Sequence, residues 1–401
     1  MARTRAVLPG GARLSDYLSV GVIAKVFPLR AVRAALRECG RASQRRRALP
    51  AEAMVYYVIA MSLFRAAATR EVLRCLADGL RWTRSGAGLR IASKVAISRA
   101  RTRLGRKPLR GLRRRCVRVL AEAGTRGAWY RGLRLLAYDG TTLDVPDERR
   151  NREQFGLPGA GRGKAAFPKL RVTALVELGT RAAFAWEYGP YRESERKQAE
   201  RLHRHLEAGM LLLADRGYLG VALWRSAVRT GADLLWRVKC DTVLPLRQVL
   251  PDGSYLSEFG GLTARVVEYT IPESDEPSYR LLTTRLDPLQ APAAELAALY
   301  HERWEIESTY DEIKTHLLGR HPILRSKTPP LVRQEVEGLM LAHYAVRHFL
   351  HEAAQQADDD PDRLSFTHAV QVIRRRIRNP GAFPRCASSA QAAAGRPARD
   401  P

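Results

Sequence analysis

The stretch PAAELAALYHERWEIESTYDEIKTHLL, residues 292–318, decides the fold of the whole chain. Its spacing predicts one long helix. Pro292 stands where a first helical residue tolerates proline, Gly319 follows the end, and Pro322 prevents continuation. Leu299, Ile306, Ile313 and Leu317 recur at helical spacing and form a core-facing stripe. Beside it, Tyr300, Arg303, Glu307 and Lys314 fall within roughly a 60° arc at about 100° per residue. One carboxylate, two fixed cations and a phenol thus share a strip next to the buried face. Chance i,i+4 pairing on a solvated face, such as Arg303–Glu307, accounts for any single member. It does not account for the ordered set.

The order Tyr300-x2-Arg303-x3-Glu307-x6-Lys314 resembles the signature of the IS4-family DDE transposases, and Arg303-Trp304-x-Ile306-Glu307 is similar to the sequence around it. The resemblance implies an α/β fold: an RNase H-like core of the retroviral integrase superfamily, interrupted by a β-rich insertion. It also implies a helical N-terminal DNA-binding domain, and two aspartates upstream, each delivered by a strand.

Two upstream stretches answer that description. Residues 133–145, LRLLAYDGTTLDV, are a short apolar run broken at Asp139-Gly140, which predicts a strand with Asp139 at its end. Asp-Gly is also the commonest hairpin signal, so a turn is the alternative. Asp144 and Asp147 lie past that turn and are weaker ligand candidates. Residues 210–218, MLLLADRGY, predict a buried strand ending in Asp215, a tight turn at Gly217 and a helix from near Leu219. Open α/β sheets commonly place functional groups at such carboxyl ends, although a structural Asp–Arg turn explains this stretch taken alone. The resemblance makes Asp139, Asp215 and Glu307 the catalytic carboxylates and metal ligands. It makes Tyr300, Arg303 and Lys314 the DNA-binding residues.

The chain has 401 residues and a net charge of +27. Self-repulsion on that scale calls for an anionic partner, with nucleic acid first and a membrane surface second. The 45% apolar content excludes wholesale disorder. No run approaches about 18 uncharged apolar residues, so no transmembrane helix is expected, and no secretory signal is evident at Met1. Cys39, Cys75, Cys116, Cys240 and Cys386 form no C-x-x-C pair; reduced, mostly buried thiols of a cytoplasmic protein are expected, without zinc. His203, His205, His343, His348 and His351 are expected on helix surfaces and edges, not on a metal.

Five regions follow. Residues 1–128 form a helical N-terminal DNA-binding domain, with helices from Asp16, over 29–39, as a pair in 50–80, and over 94–105 and 108–123. The last two carry Arg101, Arg103, Arg106, Lys107, Arg110, Arg113, Arg114, Arg115 and Arg118 without an intervening acid, a run that suits phosphate contact. A solvated arginine-rich face is the alternative. Residues 129–239 are the first part of the core, with strands at 170–178, 182–188 and 234–238 and a charged helix over 191–207. A basic glycine-rich loop at 159–164 is a DNA-lying loop or a plain linker. Residues 240–278 are the β-rich insertion, in which Trp236 nearby, Tyr255 and the following Tyr279 serve core packing or stack on an extruded base. Residues 279–355 complete the core with the catalytic helix, and 356–401 hold a short basic helix and a disordered tail.

The resemblance implies a transposase that cuts at element ends and joins them to target DNA. Two Mg2+ (or Mn2+) ions, which suit hard carboxylate oxygens, would assist both steps. It implies double-stranded DNA as partner, a homodimer to join two ends, and a cytoplasmic, nucleoid-associated location. A nuclease of the same fold that does not transpose, and a basic DNA-binding protein without catalysis, are the competing readings.

Overall fold

The computed structural model describes residues 20–44, 48–79, 91–160, 163–164, 166–271, 278–319 and 322–376. The expected helix start at Asp16 and the tail beyond 379 lie outside these residues, as does part of the 159–164 loop.

Among the described residues six helices come first: α1 (Val20–Val26), α2 (Leu29–Glu38), α3 (Ala51–Leu63), α4 (Thr69–Gly79), α5 (Lys94–Leu104) and α6 (Lys107–Cys116). Their starts follow local chemistry. Pro28 and Pro50 sit extended just before α2 and α3, Ser93 caps α5 by accepting from the Ala96 N–H, and Pro108 occupies the first turn of α6. The helix expected over 108–123 stops at Cys116. Val117 turns extended, and the N–H groups of Leu120 and Ala121 go instead to the buried carboxylate of Glu177, both at 2.8 Å.

One sheet then dominates. Its strands are β1 (Trp129–Tyr130), β2 (Leu133–Asp144), β5 (Lys169–Glu177), β6 (Ala182–Pro190), β7 (Met210–Ala214), β8 (Asp233–Val238), β9 (Gln248–Val249), β10 (Tyr255–Phe259), β11 (Leu262–Tyr269) and β12 (Tyr279–Thr283). A separate two-stranded ribbon is made by β3 (Gly159–Ala160) and β4 (Gly163–Lys164). The spatial order is β6-β5-β2-β7-β8-β12-β11-β10-β9, with β1 beside β2. Among the described strands only the β2–β7 and β7–β8 pairs are parallel. β7 is buried along its whole length, as a run of Met-Leu-Leu-Leu-Ala requires. The 240–278 segment, expected as a β-rich insertion, carries the same sheet onward through β11, β10 and β9.

One strand expectation and one helix expectation change. β2 does not end at Asp139 but runs straight through Asp139-Gly140, which pair with Ala174 and Thr173 of β5. The hairpin signal is overridden because residues 141–144 find backbone partners in β5 as far as Lys169. The charged helix shrinks to α8 (Glu195–Leu202), followed by a short 3-10 turn, His203–His205.

Helices α7 (Arg149–Phe155), α9 (Val221–Val228), α10 (Ala293–His301), α11 (Trp304–Asp311), α12 (Pro329–Ala357) and α13 (Phe366–Arg376) complete the fold. The single helix expected over 292–318 is therefore α10, a tightened turn, α11, and a π-helical turn over Glu312–Leu317. At the first junction, Arg303 and Ile306 bond three residues back, to Tyr300 and Arg303. At the second, the Leu318 N–H reaches five residues back to Ile313. The buried Glu312 carboxylate there is held by His343 at 2.9 Å and by Arg347, both from α12. Ile306, Ile313 and Leu317 are buried as expected, whereas Leu299 is half-buried and Leu296 takes its place.

α12 joins the helical and sheet regions. Gly338 lies so close to α3 that a Cβ would stand 2.6 Å from the Val58 carbonyl oxygen. Its Glu337 accepts from Trp186 and Tyr188 of β6 at 3.1 and 2.9 Å, and its Gln334 binds Arg101 of α5. Arg101 is thus a buried structural residue and leaves the basic surface. His203, His343 and His351 are buried too, contrary to the surface expected for them. Of the described cysteines, only Cys75 is buried and Cys240 is exposed. Among the described residues no helix is long and apolar enough to cross a membrane.

Candidate active site

β2 and β7 run parallel in constant register, from Arg134 beside Met210 to Ala137 beside Leu213. Carried two residues further, that register sets Asp139 level with Asp215, the first residue beyond β7. Both aspartates therefore border the crevice that opens where β7 stops, at the carboxyl ends of the parallel strands. Asp139 is half-buried, and its Oδ1 accepts from the Gly140 N–H at 2.7 Å. Burial pushes its carboxyl up to about 6, opposed by the Gly140 N–H and Arg303 and reinforced by Glu195 and Asp215.

α10 and α11 pack over this crevice. The Tyr300 hydroxyl donates to the carbonyl of Ala214 at 3.2 Å, next to Asp215. Tyr300 is buried and its hydroxyl faces backbone. Tyr310, also buried, donates to the Asp139 carbonyl and accepts from the Ala174 N–H at 3.2 Å, bridging β2 and β5 under α11. The buried Glu305 ties α11 to the β5–β6 turn by accepting from the Gly179 N–H at 2.6 Å.

Arg303 lies at the centre. Only 12% of its side chain is exposed, and it donates to Glu307 at 3.1 Å. Burial opposes its charge, yet Tyr300, Asp215, Asp139 and Glu307 together hold its guanidinium above the ordinary value. Its charge is thus answered by all three acids of the sequence pattern. Lys314 is half-buried on the other flank. Burial and the neighbouring Lys169 push it down, while Asp144 and Asp139 pull it up. Asp144 and Asp147 are engaged elsewhere, with Lys169 at 2.8 Å and with Arg152.

Two residues of the α8 first turn, which the sequence did not single out, grip both aspartate segments. The Glu195 carboxylate bonds Arg171 and lies against Gly140 where a side chain would stand. Arg196 donates to the Gly217 carbonyl at 2.8 Å, in the turn after Asp215. Glu195 and Arg196 sit in a run of charged residues with no spacing signal. Tyr310, three residues beyond Glu307 on the same helix, was the one omission that helical periodicity could have exposed.

The donor set suits a hard divalent cation: three carboxylates around one crevice, two of them level on adjacent strands, with desolvated Asp139 favouring a nearby positive charge. Among the described residues no three such groups are close enough to share one ion, and Glu307 is paired with Arg303.

Comparison with known proteins places this geometry in context. Residues 130–344 match the family described as Transposase DDE domain, and residues 17–113 match Insertion element 4 transposase N-terminal. The chain is 28% identical over 393 residues to transposase InsG for insertion sequence element IS4 of Escherichia coli K12, covering 92% of this chain and 85% of that protein. It is 26% identical over 220 residues to putative transposase InsZ of the same organism, covering 54% and 71%. The cryo-EM structure of a piggyBac transposase synaptic complex with hairpin DNA superposes with a TM-score of 0.50 at 11% identity, covering 93% of this chain and 86% of that one. That likeness concerns the fold and agrees with an RNase H-like sheet.

Proposed function

The chain belongs to the IS4 family of DDE transposases, and from that premise we propose that Asp139, Asp215 and Glu307 carry its cutting and joining chemistry. The observation that carries this assignment is the shared level of Asp139 and Asp215 under a helix that bears Glu307. Enzymes of this family use divalent metal ions. The finer reading is that Asp139 and Asp215 hold two Mg2+ or Mn2+ ions, with Glu307 completing the set once it leaves Arg303. Bound divalent cations supply charge neutralisation at attacking and leaving oxygens of an in-line displacement. The protein's own groups orient the reactants. Tyr300 and Tyr310 fix the two aspartate strands by their backbone carbonyls, and burial under α10 and α11 limits water. Arg303, released from Glu307, and Lys314 neutralise phosphates next to the scissile bond.

The DNA substrate comprises element ends and target, and a homodimer would bring two ends together. A cytoplasmic, nucleoid-associated location goes with that substrate. The regions 1–128, 129–239, 240–278, 279–355 and 356–401 are proposed as functional divisions on the same footing, the first recognising DNA and the second and fourth building the site.

The test uses purified protein with labelled linear DNA bearing its own element's ends, with and without Mg2+, beside Glu307→Ala. Metal-dependent cutting that the variant loses supports the assignment. Binding without cutting by either protein, on verified ends, favours the non-catalytic reading, and cutting without strand transfer favours the nuclease.

A further inference from the structure

The helix that bears Glu307 is held from behind by a segment that follows every residue of the acid site in sequence. After α12 comes a 3-10 turn, Pro361–Arg363, and then α13. Asp360 caps the turn by accepting from the Asp362 N–H at 3.0 Å. Ser365 Oγ accepts from the His368 N–H at 3.2 Å at the start of α13. These two caps fix where Asp362, Phe366 and Thr367 stand.

Asp362 grips the first turn of α11. Its carboxyl group hydrogen-bonds that of the buried Glu305, and its Oδ1 lies 3.0 Å from Arg181 Nε in the β5–β6 turn. The second grip is on the π-helical turn. Thr367 Oγ1 stands 3.0 Å from His316 Nδ1. Arg374 donates to the His316 carbonyl at 3.4 Å and to the Leu63 carbonyl of α3 at 2.6 Å. The Phe366 ring stacks on His343 at 5.4 Å and lies 5.6 Å from the Arg347 guanidinium, against the two residues that hold Glu312.

Each gripped residue stands two positions from a member of the sequence pattern: Glu305 from Glu307, and His316 from Lys314. Two positions are roughly half a helical turn, so the gripped side chains point away from Glu307 and Lys314. A buried pair of acids is a poor source of stability. Directional hydrogen bonds at two points add something else, a fixed rotation and register for the segment between them. That segment, Glu305 to His316, contains both Glu307 and Lys314.

We propose that Asp362 and Thr367 are positioning residues, the two ends of a C-terminal clasp that sets Glu307 and Lys314 over the paired aspartates. The inference rests on the transposase reading and gives the segment after α12 a part in cutting. The clasp touches neither DNA nor metal and acts only through α11 and the π-helical turn.

The experiment follows single-turnover cutting of the element's own end duplex, at saturating DNA and over a range of Mg2+ concentrations. It compares wild type with Asp362→Ala and Thr367→Val, singly and together, and with the conservative pair Asp362→Asn/Thr367→Ser, all below their melting ranges. The Ala/Val double variant should cut about tenfold more slowly and need about tenfold more Mg2+ for half its maximal rate, with DNA affinity unchanged. Each single variant should show part of both effects, which keeps the proposal testable where the double variant does not fold. The conservative pair keeps the accepting oxygen and the hydroxyl and should recover most of the rate. A clasp that served folding alone would lower the amount of active protein, and so the amplitude, with the rate constant and Mg2+ requirement unchanged. That result, or wild-type behaviour, in the folded single variants overturns the proposal. Wild type that does not cut its own ends, or Glu307→Ala that does, would instead remove the acid-site assignment beneath it.

Discussion

The Tyr300 hydroxyl donates to the carbonyl of Ala214, so a residue of the signature helix braces the strand end that presents Asp215. The resemblance gives this tyrosine a DNA-binding role, while its burial and its backbone partner suit a positioning role. Tyr300→Phe separates the two roles. We expect a stability loss of about 1 kcal/mol from the missing hydrogen bond, a cleavage rate lowered about tenfold, and unchanged affinity for end DNA. A weakened DNA affinity at unchanged cleavage rate on saturating DNA would restore the direct-contact role.

The strands that carry Asp139 and precede Asp215, and the mixed sheet they build, were legible because each rests on a local signal. β7 is an uninterrupted apolar run ending in Asp215, and α11 carries the ordered Arg303 and Glu307. Three features were not legible, because distant partners decide them. Asp139-Gly140 reads as a turn until β5 pairs along both sides of it. The π-helical turn at Glu312 answers His343 and Arg347, some thirty residues on. Glu195 looks like one charge in a solvated helix until Gly140 makes room for it.

Asp139 makes the metal-free site sensitive to pH. Its carboxyl is pushed up to about 6 from an ordinary 3.8, first by burial. Between those values the unfolded chain is ionised while the folded one keeps its proton. This residue's contribution to stability is therefore full below pH 3.8 and is lost as pH rises towards 6. Divalent ions require the ionised form, so apparent Mn2+ affinity should fall up to about tenfold per pH unit below 6. Calorimetric titration from pH 5 to 8 measures this. Asp139→Asn should abolish the ion binding while stabilising the metal-free protein at pH 7.5 by about 1–3 kcal/mol. Equal Mn2+ affinity at pH 5 and 7 would contradict the placement of Asp139 in the ion site.

Gly140 is set by its neighbour, not by a turn. A Cβ there would stand 2.7 Å from Glu195 Cγ, and Arg171 holds that carboxylate in place. Gly140→Ala should cost about 1–3 kcal/mol through overpacking. It should also displace Asp139 enough to lower cleavage. Adding Glu195→Ala to it should recover most of the stability, which a double-mutant cycle in urea reads directly. Additive losses would show that the two residues do not meet.

The insertion strands hold the start of the catalytic helices through one buried cation. Arg265 of β11 is fully buried and donates to Ser254 Oγ at 2.7 Å, to the Ala291 carbonyl at 2.6 Å and to Asp252. Asp252 in turn accepts from the Ala293 N–H at 2.9 Å, at the first residue of α10. The chain from β11 to the turn before β10 to α10 is thus continuous. Through α10 it reaches Tyr300 and Arg303. Arg265→Met removes all the bonds of the guanidinium at once and leaves Asp252 without its cation, which should cost about 3–5 kcal/mol. Asp252→Asn keeps a hydrogen-bonding side chain and should cost about 1 kcal/mol. If the insertion only enlarged the sheet, the two variants would lose stability without altering cleavage at a temperature where both stay folded. If it orients the helices, cleavage should fall in the order of lost stability, Arg265→Met well below Asp252→Asn, with DNA affinity unchanged in both.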